Sequence, residues 1–321
     1  MLKTISFPEK SLQLQRLYQN EMILEQLKSE FAAVPDKVRN VYGPIGFPEP
    51  PPGRPYLTGC LALSMDGRTG YESDTGSRTL IQSNRLDKTD GLTDLWMVNL
   101  VRTYADAVLL GSTTLHEEPD FTGHIYDSDL QAFRMAHPDR FRPVPWNVLI
   151  TRGPADLPWE HPVLTTPEIP VLLIVPETQK EALVRCPGHR FCYLMIDGTQ
   201  TLDAFEPTLP PVPDIPRHLV VTLPEQKFPG WDYLFPLLRV LGVRQMTVES
   251  PHWITKLMAD GLLDEFFLTY TGVYTGGSQT TGQDFQFMPS DAPVVSLASL
   301  HLSGTSVLMT RQIMEYNEWN G

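Results

Sequence analysis

Three cysteines in 321 residues, Cys60, Cys186 and Cys192, are too few and too odd in number to close a complete disulfide framework. Basic residues are short as well: 25 Lys and Arg stand against 38 Asp and Glu, a formal net charge of −13. That deficit works against nonspecific binding to nucleic acid or to an anionic membrane face, both of which need a basic surface. No run of about 18 apolar residues exists that could cross a membrane. The opening MLKTISFPEKSLQLQ lacks the apolar stretch of a secretion signal. The expectation is a soluble, cytoplasmic protein with a small-molecule ligand and neither nucleic acid nor membrane as partner. Cys186-x-x-His189-x-x-Cys192 has spacing that could clip a metal, but a structural zinc site takes four ligands and no partner motif accompanies it. A turn entering the strand FCYLMI, with two partly buried thiols and no metal, is the expected reading.

Proline is plentiful, at 30 residues, and uneven. Its concentration in 44–55 and 207–216 marks linkers. Residues 10–32 place Leu12, Leu14, Leu17, Tyr18, Met22, Leu24 and Leu27 near helical spacing, which predicts an amphipathic helix. GPIGFPEPPPGRP then reads as an extended tether. Residues 1–54 are thus expected to form a helical extension with a Pro-rich tether, and residues 55–321 the main domain.

From Pro55 onward strand and helix signals alternate. Strands are predicted at 57–64, 107–111, 146–152, 171–175, 191–196, 244–250 and 264–274, with helices at 96–105, 231–242 and 252–262. The segments 297–304 and 305–314 read as a late hairpin around Ser303-Gly304. Such alternation implies a mostly parallel sheet flanked by helices, with a C-terminal antiparallel hairpin at its edge.

Five segments lie at strand ends, where α/β sheets place their ligands. Ser64-Met65-Asp66-Gly67-Arg68 follows the first strand and serves equally well as a plain turn. Asp74-Thr75-Gly76-Ser77-Arg78-Thr79 is a polar loop entering a helix. Leu109-Leu110-Gly111-Ser112-Thr113-Thr114 ends a strand in glycine and hydroxyls, which allow close backbone approach and hydrogen bonds to phosphate. Val248-Glu249-Ser250-Pro251-His252 joins a strand to a helix, with Ser250 as N-cap and Pro251 at the first helical position. It is a ready anion site or simply a well-capped helix. Thr275-Gly276-Gly277-Ser278 follows the strand FFLTYTGVY and suits a tight turn or a ligand pressed against backbone.

The order of these segments resembles the reductase domain of the bifunctional deaminase–reductase of riboflavin biosynthesis, a dihydrofolate-reductase-like family. RPYLTGCLALSMDGRTG is similar to its opening strand and Ser-Leu-Asp-Gly turn. LVRTYADAVLLGSTTLHEEPDFTG is similar to its Asp-Ala-Val-Leu-x-Gly stretch. VESPHWITKLMADGLLDEFFLTYTGVYTGGS is similar to its Val-Glu-Gly-Gly, long helix and terminal glycines. The resemblance implies a dihydrofolate-reductase-like α/β fold, a homodimer, and NADPH-dependent hydride transfer to a ribosyl-pyrimidine-like substrate such as 5-amino-6-(5-phosphoribosylamino)uracil. On matching positions it places Thr114, Glu117 and Ser250 near the cofactor, and the strand-end residues Ser64, Gly111, Gly276 and Gly277 are further cofactor candidates. Ser77, Arg102, Phe121 and His124 then face the substrate. Asp66 or Glu249, with a pKa raised by burial, would deliver the proton. Arg152, after the strand WNVLI, is a candidate for the cofactor's 2′-phosphate, although a solvated turn arginine reads the same way.

Three positions depart from the family. Glu249-Ser250-Pro251 replaces Glu-Gly-Gly, so Pro251 adds a ring and removes an N–H donor. Cys60 stands where the family has lysine, and His124 where it has an arginine just beyond Leu-Thr. The zinc deaminase half is not expected, because residues 1–53 contain neither cysteine nor histidine. A non-catalytic binding protein on the same fold, or a reductase of another small molecule such as a pterin, is the alternative.

Overall fold

The computed structural model describes residues 2–28, 31–89, 91–185, 193–197, 218–282 and 285–316. The Cys186–Cys192 segment lies outside them. Eleven strands form one sheet: β1 (Leu14–Gln19), β2 (Tyr56–Ser64), β3 (Ala107–Leu110), β4 (Trp146–Ile150), β5 (Val171–Pro176), β6 (Tyr193–Asp197), β7 (His218–Leu223), β8 (Gln245–Val248), β9 (Glu265–Thr271), β10 (Val294–Ser303) and β11 (Val307–Glu315). Their spatial order is β1-β10-β11-β9-β2-β8-β3-β4-β5-β7-β6. From β9 to β6 every pairing is parallel, and β11, β10 and β1 close the other edge antiparallel.

The interior strands are near-continuous apolar runs because helices cover both faces. On one face α9 (Trp231–Val240) and α10 (Pro251–Ala259) bury Leu234, Leu237, Leu238, Ile254 and Leu257 against Leu57, Leu109, Trp146 and Val148. On the other, α4 (Leu92–Tyr104) sets Trp96, Leu100 and Val101 against Cys60 and Phe267. The remaining helices are short: α1 (Glu21–Gln26), α2 (Asp36–Val41), α3 (Ser77–Gln82), α5 (Ser112–Glu117), α6 (Ser128–Met135), α7 (Pro162–Thr165) and α8 (Lys180–Arg185). Among the described residues, no helix is long and apolar enough to cross a membrane.

The N-terminal segment departs from the helix expected over 10–32. It makes a short 3-10 turn at Glu9–Ser11, then β1, then α1. β10 presents an open edge of backbone N–H and C=O groups, and Leu14–Gln19 satisfies them in antiparallel register. Asn20 then accepts a bond from the Ile23 N–H at 3.3 Å and starts the helix afresh. The apolar residues of β1 do not share a buried helical stripe, since Leu17 and Tyr18 are exposed. Pro-rich 44–55 is extended as expected but laid on the body. Ile45 and Phe47 are buried, and the Gly46 and Pro48 carbonyls accept bonds from Arg311 and Gln245 at 2.6 and 2.7 Å.

β7 is a strand that pattern reading did not find. It inserts between β5 and β6 and is fully buried.

Candidate active site

The chain runs from β2 to β3 in one direction across the sheet and from β8 to β9 in the other, with β8 between β2 and β3. That reversal opens a crevice at the carboxyl ends of these strands, the usual ligand position in such sheets. A cavity of about 420 Å³ fills it. Its walls come from β2 (Cys60, Leu61, Ala62), α3 with its preceding loop (Thr75, Ser77, Ile81), α4 (Asp94, Val98) and the α5 region (Thr113, Thr114, Glu117, Glu118, Phe121). The β8–α10 junction (Glu249, Ser250, Pro251, His252), Thr69 and the strap Gln279–Thr281 complete them. A second cavity of about 220 Å³ adjoins it and shares Thr113, Ser250 and His252. Gly111, Ser112, Ile150, Thr151, Arg152, Phe228 and Trp253 enclose the rest.

At the junction, β3 and α10 come very close. A Cβ on Gly111 would lie 2.9 Å from Ser250 Oγ and 3.3 Å from Thr114 Oγ1. Ser250 is the N-cap of α10, as expected, but its hydroxyl makes no capping bond. Thr113, Thr114 and Ser250 therefore present small hydroxyl side chains to the space between the cavities.

Glu249 lines the larger cavity with its backbone N–H bonded to the Leu109 carbonyl at 2.9 Å. Both its oxygens are occupied: Arg102 donates from Nε at 2.7 Å and from a terminal nitrogen at 2.5 Å. The other terminal nitrogen donates to the Thr122 and His124 carbonyls at 2.8 and 2.9 Å. Arg102 is fully buried, so the expected substrate contact is corrected. Its guanidinium is spent inside the protein, positioning Glu249 and the 121–124 loop, with Phe121 stacked on it at 4.6 Å. His124 is likewise drawn away from the cavity. Its ring bonds Thr122 and, at 2.7 Å, the Lys3 carbonyl, and burial lowers its pKa to about 4.

Asp66 is the second correction. The Ser64 hydroxyl at 2.6 Å and the Gly276 and Thr275 N–H groups hold its carboxylate down at about 2, opposite to the burial-raised acid expected. Asp66 does not line either cavity. Together with Ser64 it fastens the 64–68 turn to the 275–278 turn. Gly276 and Gly277 adopt φ of +65° and +74°, and a Cβ on Gly277 would run into the Glu72 carboxylate at 2.5 Å. The tight-turn reading of these glycines prevails, and the adjacent Thr280 and Thr281 reach the cavity instead.

Ser77, Thr114, Glu117 and Phe121 do line the larger cavity. Glu117 accepts a bond from the Thr75 hydroxyl, and Ser77 donates to Glu118 at 2.5 Å. Arg152 sits on the second cavity, stacked over Phe228 at 4.8 Å and ion-paired with Glu225 across the surface.

Two cavity acids escaped sequence reasoning. Burial raises the Asp94 pKa to about 6, with the charges of Asp87 and Glu118 adding to it and a Thr269 hydroxyl opposing. Burial also raises Glu118. Asp94 looks like an ordinary first-turn helix acid, and Glu118 like the second half of an acidic pair, so no local signal marks either. Burial pushes the Cys60 thiol well up, which keeps it a neutral wall group. Among the described residues no cluster of His, Cys, Asp and Glu could hold a metal ion.

No family model matches the sequence, and no curated protein matches it. Solved structures do match the fold. A pyrimidine reductase-like protein from Corynebacterium diphtheriae superposes with a TM-score of 0.56 at 17% identity, over 87% of this chain and 98% of its own. The deaminase/5-amino-6-(5-phosphoribosylamino)uracil reductase of Thermotoga maritima gives 0.52 at 13% identity, over 81% of this chain and 56% of its own. RibD of Acinetobacter baumannii gives 0.50 at 18% identity, over 82% and 59%. The chain thus spans little more than half the length of the latter two. At these identities the shared property is the fold, a mostly parallel α/β sheet flanked by helices with an antiparallel C-terminal hairpin.

Proposed function

We propose that the chain is an NADPH-dependent reductase of a small ribosyl-pyrimidine-like substrate. The observation that carries this reading is the pair of adjoining cavities at the strand reversal, joined at Thr113 and Ser250. The smaller cavity, at about 220 Å³, would take only the phosphate-bearing part of a dinucleotide. Gly111 lets Ser250 pack close to β3, the Ser112, Thr113 and Ser250 hydroxyls supply donors, and Arg152 offers a guanidinium suited to the 2′-phosphate. When bound, NADPH supplies the hydride. The larger cavity would hold the acceptor, with Phe121 and Val98 as apolar walls and Thr114 between the two ligands.

Proton delivery falls to Asp94, whose carboxyl near 6 can hold and release a proton close to neutral pH. Glu249, its oxygens taken by Arg102, orients the substrate rather than protonating it. Pro251 favours a second reading, a non-catalytic binding protein, because it withholds one N–H from the α10 start.

Titration of the intact protein with NADPH, followed by quenching of tryptophan fluorescence, separates the two. Binding is expected, with Trp253 on the cavity wall as reporter. Arg152→Ala should erase a preference for NADPH over NADH. Absence of binding up to millimolar NADPH would overturn the reductase reading. With a substrate in hand, kcat should fall as pH rises through about 6, as Asp94 loses its proton.

A further inference from the structure

We propose that the larger cavity selects a small, unphosphorylated nitrogen heterocycle bearing a positive charge or a cluster of N–H donors, and rejects phosphorylated analogues. The proposal rests on the reductase reading of the same cavity and names its substrate class.

Four carboxylates, Asp94, Glu117, Glu118 and Glu249, lie on the wall, and among the described residues no lysine or arginine lies there with them. Among the described residues only Glu249 has a guanidinium partner on its oxygens, and that partner, Arg102, is buried behind the wall with every nitrogen engaged. Glu117 and Glu118 accept bonds from neutral hydroxyls, those of Thr75 and Ser77, and Asp94 has only the Thr269 hydroxyl working against the rise that burial gives its pKa. An ionised carboxylate has about four acceptor sites, so one hydroxyl leaves most of its capacity directed at a ligand. The acids also feel one another, since Glu118 raises Asp94 while Glu117 and Glu249 raise Glu118, after burial in each case.

A phosphate brought into this space would meet four carboxylates, with His252 the one basic side chain on the wall among the described residues. Its own acceptor oxygens would face acceptors, which is the arrangement that rejects a ligand most strongly. An amidine-like edge, with two N–H groups and shared positive charge, has the opposite property and can bond a carboxylate in parallel. Phe121 and Val98 supply apolar surface for the ring, and about 420 Å³ suits a ligand of that size. The acids are not grouped as a cation site, since no metal-holding cluster occurs among the described residues.

Calorimetric titration of the full chain with three probes tests the selection: 2,4-diaminopyrimidine, uracil and uridine 5′-monophosphate. The diaminopyrimidine should bind at least about tenfold more tightly than uracil, as expected for a charged hydrogen bond, and the monophosphate most weakly. Added salt should weaken the diaminopyrimidine. Asp94→Asn and Glu118→Gln should each lower its affinity about tenfold. The wild-type ranking decides even where a variant folds poorly. Equal or tighter binding of the monophosphate, or no binding of the diaminopyrimidine at millimolar concentration, would overturn the proposal. NADPH is titrated in parallel. Failure of NADPH alone removes the reductase reading and leaves the selection standing, while failure of the ranking with NADPH bound removes only the selection.

Discussion

Arg102 shows how a residue's role depends on what its side chain already holds. A charged guanidinium at full burial persists only because the Glu249 carboxylate and two carbonyls absorb its donors. Arg102→Met should therefore leave Glu249 as an uncompensated group at the cavity and cost about 3–5 kcal/mol, measured by urea denaturation. The double variant with Glu249→Leu should recover part of that loss, because it removes both charges together. Ser77, Thr114, Glu117 and Phe121, which the family resemblance marks, do line the cavity. Asp94 and Glu118 were not legible in the sequence, because an acid's importance here comes from desolvation by residues distant in sequence. Asp66 misled in part for the same reason: besides its neighbour Ser64, the N–H groups of Thr275 and Gly276, 209 and 210 positions away, hold it ionised.

At the scale of elements, α10 borders both cavities with its start, as α5 does through Thr113. Proline at the first turn of α10 is preorganised for a helix, and Pro251→Gly should cost roughly 1 kcal/mol of stability through the freer unfolded chain. The same change returns an N–H donor to the cavity rim and removes a ring. NADPH affinity should rise while the thermal midpoint falls, and a variant that loses both would refute this account of the junction. β1 teaches a different lesson. LQRLYQ has spacing that fits a helix as well as a strand, and the open edge of β10 resolved the ambiguity. β7 went unread because a six-residue apolar run carries no period of its own when both faces are buried.

Across the whole molecule, the N-terminal segment is built into the core. Phe7, Leu12, Val38, Tyr42, Ile45 and Phe47 pack with Trp96, Leu100 and Phe267 in one cluster. Arg311, paired with buried Glu265, stacks over Phe47 at 5.1 Å and bonds the Gly46 carbonyl, tying the segment to β11. Phe47→Ala should cost about 3–5 kcal/mol, in the range of a core aromatic truncation. A loss near zero in urea denaturation would show the segment to be a detachable extension.

The sequence by itself determined the parallel sheet, the C-terminal hairpin and the placement of small hydroxyl residues at the strand ends, because these follow from local periodicity and turn chemistry. Tertiary structure alone decided the electrostatics of the site. It withdrew Arg102 and His124 behind the wall, fastened Asp66 to a distant turn, and brought Asp94 and Glu118 to the cavity. The physical reason is that the character of a charged group depends on burial and partners supplied by other parts of the chain, which no local spacing records.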